Sequence, residues 1–322
     1  MKQSTTRAPK LGFAVRAIIS IALLIAVAHY IGSAEIFAQM KLIHWPVSVA
    51  VVMLLASHVL FVTPRWSNIL TALRYPIKSA SLIGSVFLGF LFNQVLPTAV
   101  GGDVLRAWRA HQLGVPIVIA IHSIILDRMS GIVAVLLGIT VLLPFADPLA
   151  ARSGLLWSVG TLAGGGFIAF ICLWGLGRLP SFTIPVVGAL QRALVGLNTS
   201  TFVLLTNLRA SIVVLVLAGI GQLIPVFAIG LLANELGAQI PPLDITIITF
   251  GAMLAAAVPV SVAGWGIREG ALVYLFGMYG VPPQTAFAIS ILFGVSLIVA
   301  STPGVLVLLA GHPAPPDDIE AS

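Results

Sequence analysis

The stretch Ser211–Ala233 reads SIVVLVLAGIGQLIPVFAIGLLA and holds no charged residue. A helix needs about 20 such residues to cross the roughly 30 Å hydrocarbon core of a bilayer. Ala14–Ile31 is comparably apolar. Across all 322 residues, 59% are hydrophobic and 8% are charged, whereas about a quarter of a soluble domain is charged. The sequence therefore predicts an all-α integral membrane protein with a single membrane domain, 1–322.

Six apolar segments are long enough to be full crossings of the membrane. They are predicted at residues 13–31, 44–63, 116–144, 154–176, 209–233 and 285–310. The first segment follows basic residues, as a signal peptide does, but its length and the lack of a small-residue cleavage site predict a retained helix. Residues 178–209 are either an amphipathic helix in the membrane interface or a linker, and the acidic, Pro-rich tail 311–322 is predicted to be disordered.

Two further apolar segments, 81–97 and 245–262, are interrupted. Each runs into a Pro, a Gly cluster and an Arg, and then into a second, partly apolar helix at 103–115 or 267–280. A helix broken at membrane depth survives only where it lines a cavity or is buried in protein, because lipid cannot bond its freed backbone groups. We therefore predict two re-entrant helical hairpins.

The two interruptions share a motif. Val95–Arg106 reads VLPTAVGGDVLR and Ala257–Arg268 reads AVPVSVAGWGIR, so each has Gly five residues and Arg nine residues after Pro. Each is also the third element in the order crossing, crossing, hairpin, crossing. The halves 13–144 and 154–310 are therefore predicted to form an inverted-topology repeat, as in many transporters.

The distribution of Lys and Arg predicts the orientation. If 81–115 is re-entrant, 12 of the 16 Lys and Arg residues, Arg65 and Arg74 among them, lie on the cytoplasmic side. If 81–97 crosses fully, the count falls to about 8 inside against 7 outside. The positive-inside rule favours the hairpin. With the repeat, it places both termini in the cytoplasm of a multi-pass protein of the cell (inner or plasma) membrane.

Arg106 is a candidate ligand for a phosphate or carboxylate. Gly101 and Gly102 precede it by one turn, and free backbone N–H groups beside a guanidinium suit an anion. Arg109 lies three residues on, near the same face. The alternative is that Asp103 caps the helix and both Arg residues anchor it to anionic headgroups.

The second hairpin offers equivalent candidates. Gly264 and Arg268 match Gly102 and Arg106 in the motif, and Glu269 could orient an Arg or relay a proton. Ionisable residues at membrane depth are costly and usually functional, although an interfacial ion pair is the alternative. Asn93 either satisfies backbone groups at the first break or lines the cavity.

Asp127 and Arg128 lie inside the crossing 116–144. Adjacent residues on a helix do not face each other, so each is predicted to pair elsewhere in the bundle as a structural polar clamp, with a proton path as the alternative.

Cys172, the only cysteine, is interpreted as an apolar filler. We find no metal-ligand spacing, Walker loop or nucleophile elbow and predict no cofactor or metal. The scattered basic residues do not form a nucleic-acid-binding face.

The paired motifs, Asn93–Ala107 and Pro259–Ala271, resemble the lysylphosphatidylglycerol synthase transmembrane, or flippase-like, family over residues 13 to 310. In bifunctional relatives this region is taken to move aminoacylated phosphatidylglycerol between leaflets, and a cytoplasmic aminoacyl-transfer domain follows it. Because this chain ends at Ser322, the resemblance implies a stand-alone member and does not specify which lipid it moves. Enzymes of hopanoid or other envelope-lipid synthesis are its implied partners.

The leading expectation is a transporter, and not an enzyme, that moves an anionic or phosphate-bearing lipid between leaflets without an ATP motif. One alternative is a membrane-embedded transferase on a lipid phosphate, with Asp103, Asp127 or Glu269 as base. The other is a non-transporting partner in envelope-lipid synthesis.

Overall fold

The structure is a computed structural model that describes part of the chain. The described residues are 39–40, 42–95, 101–146, 161, 164–165, 185–257 and 265–310, with side chains for all except 95 and 185–194. The predicted crossing 13–31, nearly all of 154–176, Gly264 and the tail 311–322 lie outside them. The described part of the chain is helical and contains no strand.

The helices are numbered here in chain order. They are α1 (Trp45–Ser57), α2 (Val59–Ala72), α3 (Ser79–Val95), α4 (Gly101–Gln112), α5 (Ile117–Leu142), α6 (Pro185–Thr206), α7 (Leu208–Glu235), α8 (Pro242–Ala257), α9 (Ile267–Gly277), α10 (Pro283–Ser301) and α11 (Pro303–Leu309). A 3₁₀ turn, Leu143–Phe145, extends α5.

Among the described residues, four stretches are long and apolar enough to cross a membrane. They are Trp45–Ala72 (α1 and α2), Ile117–Phe145 (α5 and its 3₁₀ turn), Leu208–Glu235 (α7) and Pro283–Leu309 (α10 and α11). They coincide with the predicted crossings 44–63, 116–144, 209–233 and 285–310. The chain is thus an all-helical, multi-pass membrane bundle.

The first of these stretches runs well past its predicted end at residue 63. Pro64 lies inside α2 and does not end it. The side-chain amide of Asn68 donates a hydrogen bond to the Pro64 carbonyl (2.8 Å), and neighbouring helices pack against α2, as is common where a membrane helix contains Pro. As a result Arg65, predicted to follow the crossing, lies within it.

Packing between connections defines one end of the bundle, which we call end A. Tyr75, after α2, packs in the same cluster as Val115, which connects α4 to α5. Leu73, at the end of α2, shares a second cluster with Ala210 in the first turn of α7. α2 therefore ends, and α5 and α7 begin, at end A.

The opposite end is end B. His44, just before α1, is hydrogen-bonded to the carboxylate of Glu235, the last residue of α7. α10 also begins at end B, because Val307 in α11 lies against Gly84 in α3 near end A, 3.1 Å from where a Cβ on Gly84 would stand. The α8–α9 pair starts after α7 and finishes before α10, so it opens towards end B.

α3 and α4 pack side by side and antiparallel. The Asn93 side chain accepts a hydrogen bond from Gly102 N–H, and a Cβ on Gly102 would lie 2.0 Å from the Gly89 carbonyl oxygen. Further along, a Cβ on Gly84 would lie 3.8 Å from the Arg109 guanidinium. The hairpin therefore opens towards end A, opposite to α8–α9.

Both hairpins finish with the same turn, Gly-Val-Pro. Gly114 and Gly280 adopt left-handed φ angles of 92° and 74°. The following Val115 and Val281 donate to the carbonyls of Ala110 and Phe276, as in a Schellman cap. Pro116 and Pro282 then take up the N-cap positions of α5 and α10. Glycine is needed here because other residues rarely accept this φ.

Residues 178–209 contain a packed helix. α6 contacts α5 and α7, and its residues Leu197 and Leu204 pack with Ile69, Leu126 and Val214 near end A. The described part of this stretch is therefore a helix packed on the bundle, which fits the helix interpretation better than the linker interpretation.

Candidate functional site

Asp127 joins two arginines from different helices. One carboxylate oxygen accepts from Nε of Arg65 on α2 (2.6 Å), and the other accepts from Nη2 of Arg106 on α4 (2.9 Å). All three residues are almost completely buried. Each guanidinium thus takes one oxygen of the same carboxylate, and three helices are tied together at that point.

Asp103 extends this network towards the bundle surface. Its carboxylate accepts two hydrogen bonds from Arg128 on α5, from Nε (2.9 Å) and Nη2 (3.1 Å). It also lies 3.6 Å from Nη1 of Arg106. Charges therefore alternate along Arg128, Asp103, Arg106, Asp127 and Arg65, which we call the arginine network.

Trp66 supports the centre of the network. The Arg106 guanidinium lies 4.4 Å above the centre of the Trp66 ring, a cation–π contact that strengthens when it is desolvated. The indole N–H donates to Ser123 (2.9 Å), whose hydroxyl donates to the Ala120 carbonyl (2.7 Å). The ring under Arg106 is thus held by α5.

The network carries three positive and two negative charges. Buried charges are tolerated only when paired and hydrogen-bonded. One fully buried donor of the network remains unused: the Arg106 Nε–H has no acceptor among the described residues. An excess of one positive charge and a spare donor are suited to an additional anion.

The second hairpin contains a separate ionic group on α9. The Glu269 carboxylate accepts from Arg268 Nε (3.0 Å) and Nη2 (2.6 Å), from the Gly266 N–H, and from the Ser290 hydroxyl on α10 (3.1 Å). Glu269 is fully buried. Its bond to Gly266 caps the start of α9, so this carboxylate serves both the helix and the arginine.

Aromatic rings enclose Arg268. Its guanidinium lies 4.8 Å from the centre of the Trp265 ring and 5.4 Å from that of Phe293. A Cβ on Gly294 would stand 2.4 Å from Arg268 Nη2, so this glycine on α10 makes room for the guanidinium. Both arginines of the motif are therefore buried and stacked on tryptophan, but different carboxylates hold them.

Two predicted site residues serve helix packing. Gly102 was expected to offer a free N–H, which is wrong: α4 already begins at Gly101, and the Gly102 N–H donates to Asn93 (3.1 Å). Asn93 satisfies this backbone group, the first of its two interpretations. Arg109 is half-buried beside Gly84 at the open end of the hairpin.

Sequence reasoning missed Arg65 and Trp66. Arg65 was counted on the cytoplasmic side because it follows the predicted crossing 44–63, but it is buried and paired with Asp127. Arg106 is buried as well, so neither contributes to a positive-inside signal. The cytoplasmic count of 12 therefore falls by two to 10. Of the three residues counted outside, Lys41, Arg152 and Arg268, Arg268 is also buried, so that count falls to 2 and the bias is kept. The signal in the sequence was Asp127 itself, because a carboxylate within an apolar crossing requires a positively charged partner.

In the described part of the chain, no group of three or more His, Cys, Asp or Glu side chains is placed to hold a metal ion. The polar groups at membrane depth are instead organised around arginine. Fold and site thus define a helical membrane protein with two helical hairpins, each placing a buried arginine in its interior.

Comparison with known families agrees with this class. The family model for the lysylphosphatidylglycerol synthase TM region matches residues 13–304. The chain belongs to this family and consists almost entirely of that region, which confirms the resemblance stated from the motifs. No curated protein and no solved structure matches the chain.

Proposed function

We propose that this protein moves an anionic, phosphate-bearing lipid between the leaflets of the membrane, downhill or coupled to an ion. The observation that carries the proposal is the arginine network, in which Arg65 and Arg106 converge on two oxygens of Asp127 within the bundle. A phosphate presents oxygens to two guanidinium groups in the same manner. Membership of a family concerned with lipid handling supports the same conclusion.

We further propose that the halves 13–144 and 154–310 form an inverted repeat. The hairpins open towards opposite ends, and both finish with Gly-Val-Pro. Their neighbours also correspond: α3 contacts α2, α4 and the α10–α11 stretch, and α8 contacts α7, α9 and α5. Equivalent helices make equivalent contacts if α2 corresponds to α7 and α5 to α10, as expected of a two-fold axis in the membrane plane.

In this arrangement Arg106 and Arg268 approach the midplane from opposite ends. Each lies in the first turns of the helix that follows the break, so each is held deep in the bundle by the inner end of its hairpin. We propose that Arg106 and Arg268 contact the headgroup at alternate stages of transport. Of the two, Arg106 is the stronger candidate ligand, because its buried Nε–H has no acceptor among the described residues.

Cysteine labelling tests the orientation. In a Cys172→Ala background, Arg74→Cys and Trp108→Cys are expected to react only from the cytoplasm, because both positions are exposed and lie near end A. Gln239→Cys, in the exposed α7–α8 connection at end B, is expected to react only from outside. An impermeant maleimide applied to intact cells and to inverted vesicles distinguishes the sides. Labelling of position 108 from outside would contradict the re-entrant hairpin, and equal labelling of 239 and 74 would contradict the inversion.

Conservative substitutions test the two arginines. Arg106→Lys and Arg268→Lys keep the charge but lose the planar fork that binds two oxygens at once. We expect each to slow lipid movement by about tenfold or more, since a lost charged hydrogen bond costs about 1.5–3 kcal/mol. Arg109→Lys is the matched control in the same helix and should be nearly silent. Normal movement in both Lys variants, with unchanged thermal unfolding, would show that neither arginine binds the headgroup.

Reconstitution separates transport from the alternatives. The pure protein is placed in vesicles with headgroup-labelled phosphatidylglycerol, and the label accessible outside is followed over time. Crossing without chemical change supports transport, a modified lipid supports a transferase, and neither result supports a non-transporting partner. Each of the three candidate bases is paired with an arginine: Asp103, Asp127 and Glu269. The hydrogen bonds occupy the lone pairs that a base would use, which argues against the transferase.

A further inference from the structure

Arg128 occupies an unusual position for a charged residue. It lies about 16 Å along α5 from its first residue, at 1.5 Å per residue, within a stretch long enough to span the bilayer. Half of its side-chain surface is nevertheless exposed. Arginines near helix ends can reach the interface, but one near the middle of a crossing cannot, so its exposed half needs water or a lipid headgroup.

Exposure falls from Arg128 towards the interior of the bundle. Asp103, on its inner side, is 7% exposed, and Arg106 beyond it is 5% exposed. Two neighbouring residues in the chain are apolar and exposed, Val104 next to Asp103 on α4 and Ile132 one turn from Arg128 on α5. Charged side chains therefore follow one another without a gap from the half-exposed Arg128 through Asp103 to the buried Arg106.

We propose that Arg128 and Asp103 form a lateral entrance between α4 and α5, through which the phosphate of an anionic lipid reaches Arg106 while its acyl chains stay in the bilayer. This inference rests on the proposed function and deepens it. Arg128 now holds Asp103 through two parallel hydrogen bonds. A phosphate can replace the carboxylate on that fork, and Asp103, 3.6 Å from Arg106, separates the outer arginine from the inner one.

The entrance differs from a purely structural salt bridge in what it brings to membrane depth. A structural bridge on a lipid-facing surface would be covered by acyl chains only. An entrance brings headgroups to a depth at which only chains are normally found. Fluorescence quenching by lipids with nitroxides at known positions measures this difference directly.

The test uses the full chain with Cys172→Ala in nanodiscs of phosphatidylcholine and phosphatidylglycerol. A bimane fluorophore is attached at Ile132→Cys, one turn from Arg128 on the same face. The matched control is Leu223→Cys, also exposed to a similar degree and near the middle of α7. We expect headgroup-labelled phosphatidylglycerol to quench position 132 more than chain-labelled lipid does, and the order to be reversed at 223. Chain-type quenching at both positions would overturn the entrance.

A paired variant assigns the effect to the two residues. Asp103→Asn with Arg128→Gln removes one charge of each sign, so the net charge of the network is unchanged and Arg106 keeps its hydrogen bond to Asp127. We expect headgroup quenching at 132 to be lost while thermal unfolding stays close to that of the parent. Persistent headgroup quenching in the folded double variant would overturn the role of these residues.

The source of the phosphate is settled in a third arm. Nitroxide-labelled glycerol phosphate is added to discs of phosphatidylcholine alone, and quenching at 132 by this soluble anion without any quenching by labelled lipid would overturn a lipid entrance. The outcomes also separate the two proposals. Lipid movement without headgroup quenching at 132 would refute the entrance and keep transport. Quenching without movement would keep the entrance as a lipid-binding site and refute transport.

Discussion

Asp127→Asn is expected to destabilise the protein by about 3–5 kcal/mol, the usual cost of leaving a buried charge unpaired. The substitution removes the counter-charge shared by Arg65 and Arg106, both of which are buried. Water cannot replace the carboxylate because neither guanidinium reaches the surface. Thermal unfolding of the detergent-solubilised protein and the yield of monodisperse material both measure the effect.

A double variant provides the control for Asp127. Arg65→Gln combined with Asp127→Asn removes one positive and one negative charge, and should recover part of the lost stability, since contacting residues are not additive. A stable but inactive Asp127→Asn protein would contradict the structural role. Asp127 would then act in transport, as a proton carrier or as an anion that competes with the headgroup.

Glu269→Ala is expected to have a comparable effect in the second half. It would remove the acceptor of two hydrogen bonds from buried Arg268 and of the bond that caps α9 at Gly266. A loss of about 3–5 kcal/mol is expected for the unpaired arginine. Unfolding followed by near-UV circular dichroism would report it, because Trp265 and Phe293 enclose the guanidinium.

Two matched variants separate the contributions of Glu269. Ser290→Ala removes one neutral donor to the same carboxylate, which should cost only about 0.5–1.5 kcal/mol. Glu269→Gln keeps an oxygen for the Gly266 N–H but loses the charge that balances Arg268, so it should lie between the other two variants. Equal stability of Glu269→Ala and Ser290→Ala would mean that Arg268 finds another partner.

The two ionic groups are built differently despite the shared motif. The arginine network joins α2, α4 and α5, so movement of the first hairpin relative to the crossings must change its pairing. Arg268 is held mainly by Glu269, its neighbour on α9, and therefore moves with the second hairpin as one unit. If one half rearranges during transport, this difference favours the first hairpin as the element that exchanges its partners for a headgroup.

The apolar runs and their interruptions determined much of this protein from the sequence alone. Ser211–Ala233 predicted a crossing, and the structure has a helix long and apolar enough to cross at Leu208–Glu235. The pattern is readable because lipid accepts only a backbone that satisfies its own hydrogen bonds. The Pro and Gly of VLPTAVGG predicted the break between α3 and α4. The same motif indicated Arg106 as a candidate ligand, since a charged residue at membrane depth is rare and can be recognised in the sequence.

The pairing of those charges was decided only by the tertiary structure. Arg65 and Asp127 are 62 residues apart, and nothing local in either segment specifies the other. Gly102 has the sequence context of an anion-binding glycine. In the structure the Gly89 carbonyl of the neighbouring helix occupies the space beside it. Hydrophobic pattern is a property of one segment and can be read along the chain. The partner of a buried ion depends on which helices are adjacent, and therefore on the packing of the whole bundle.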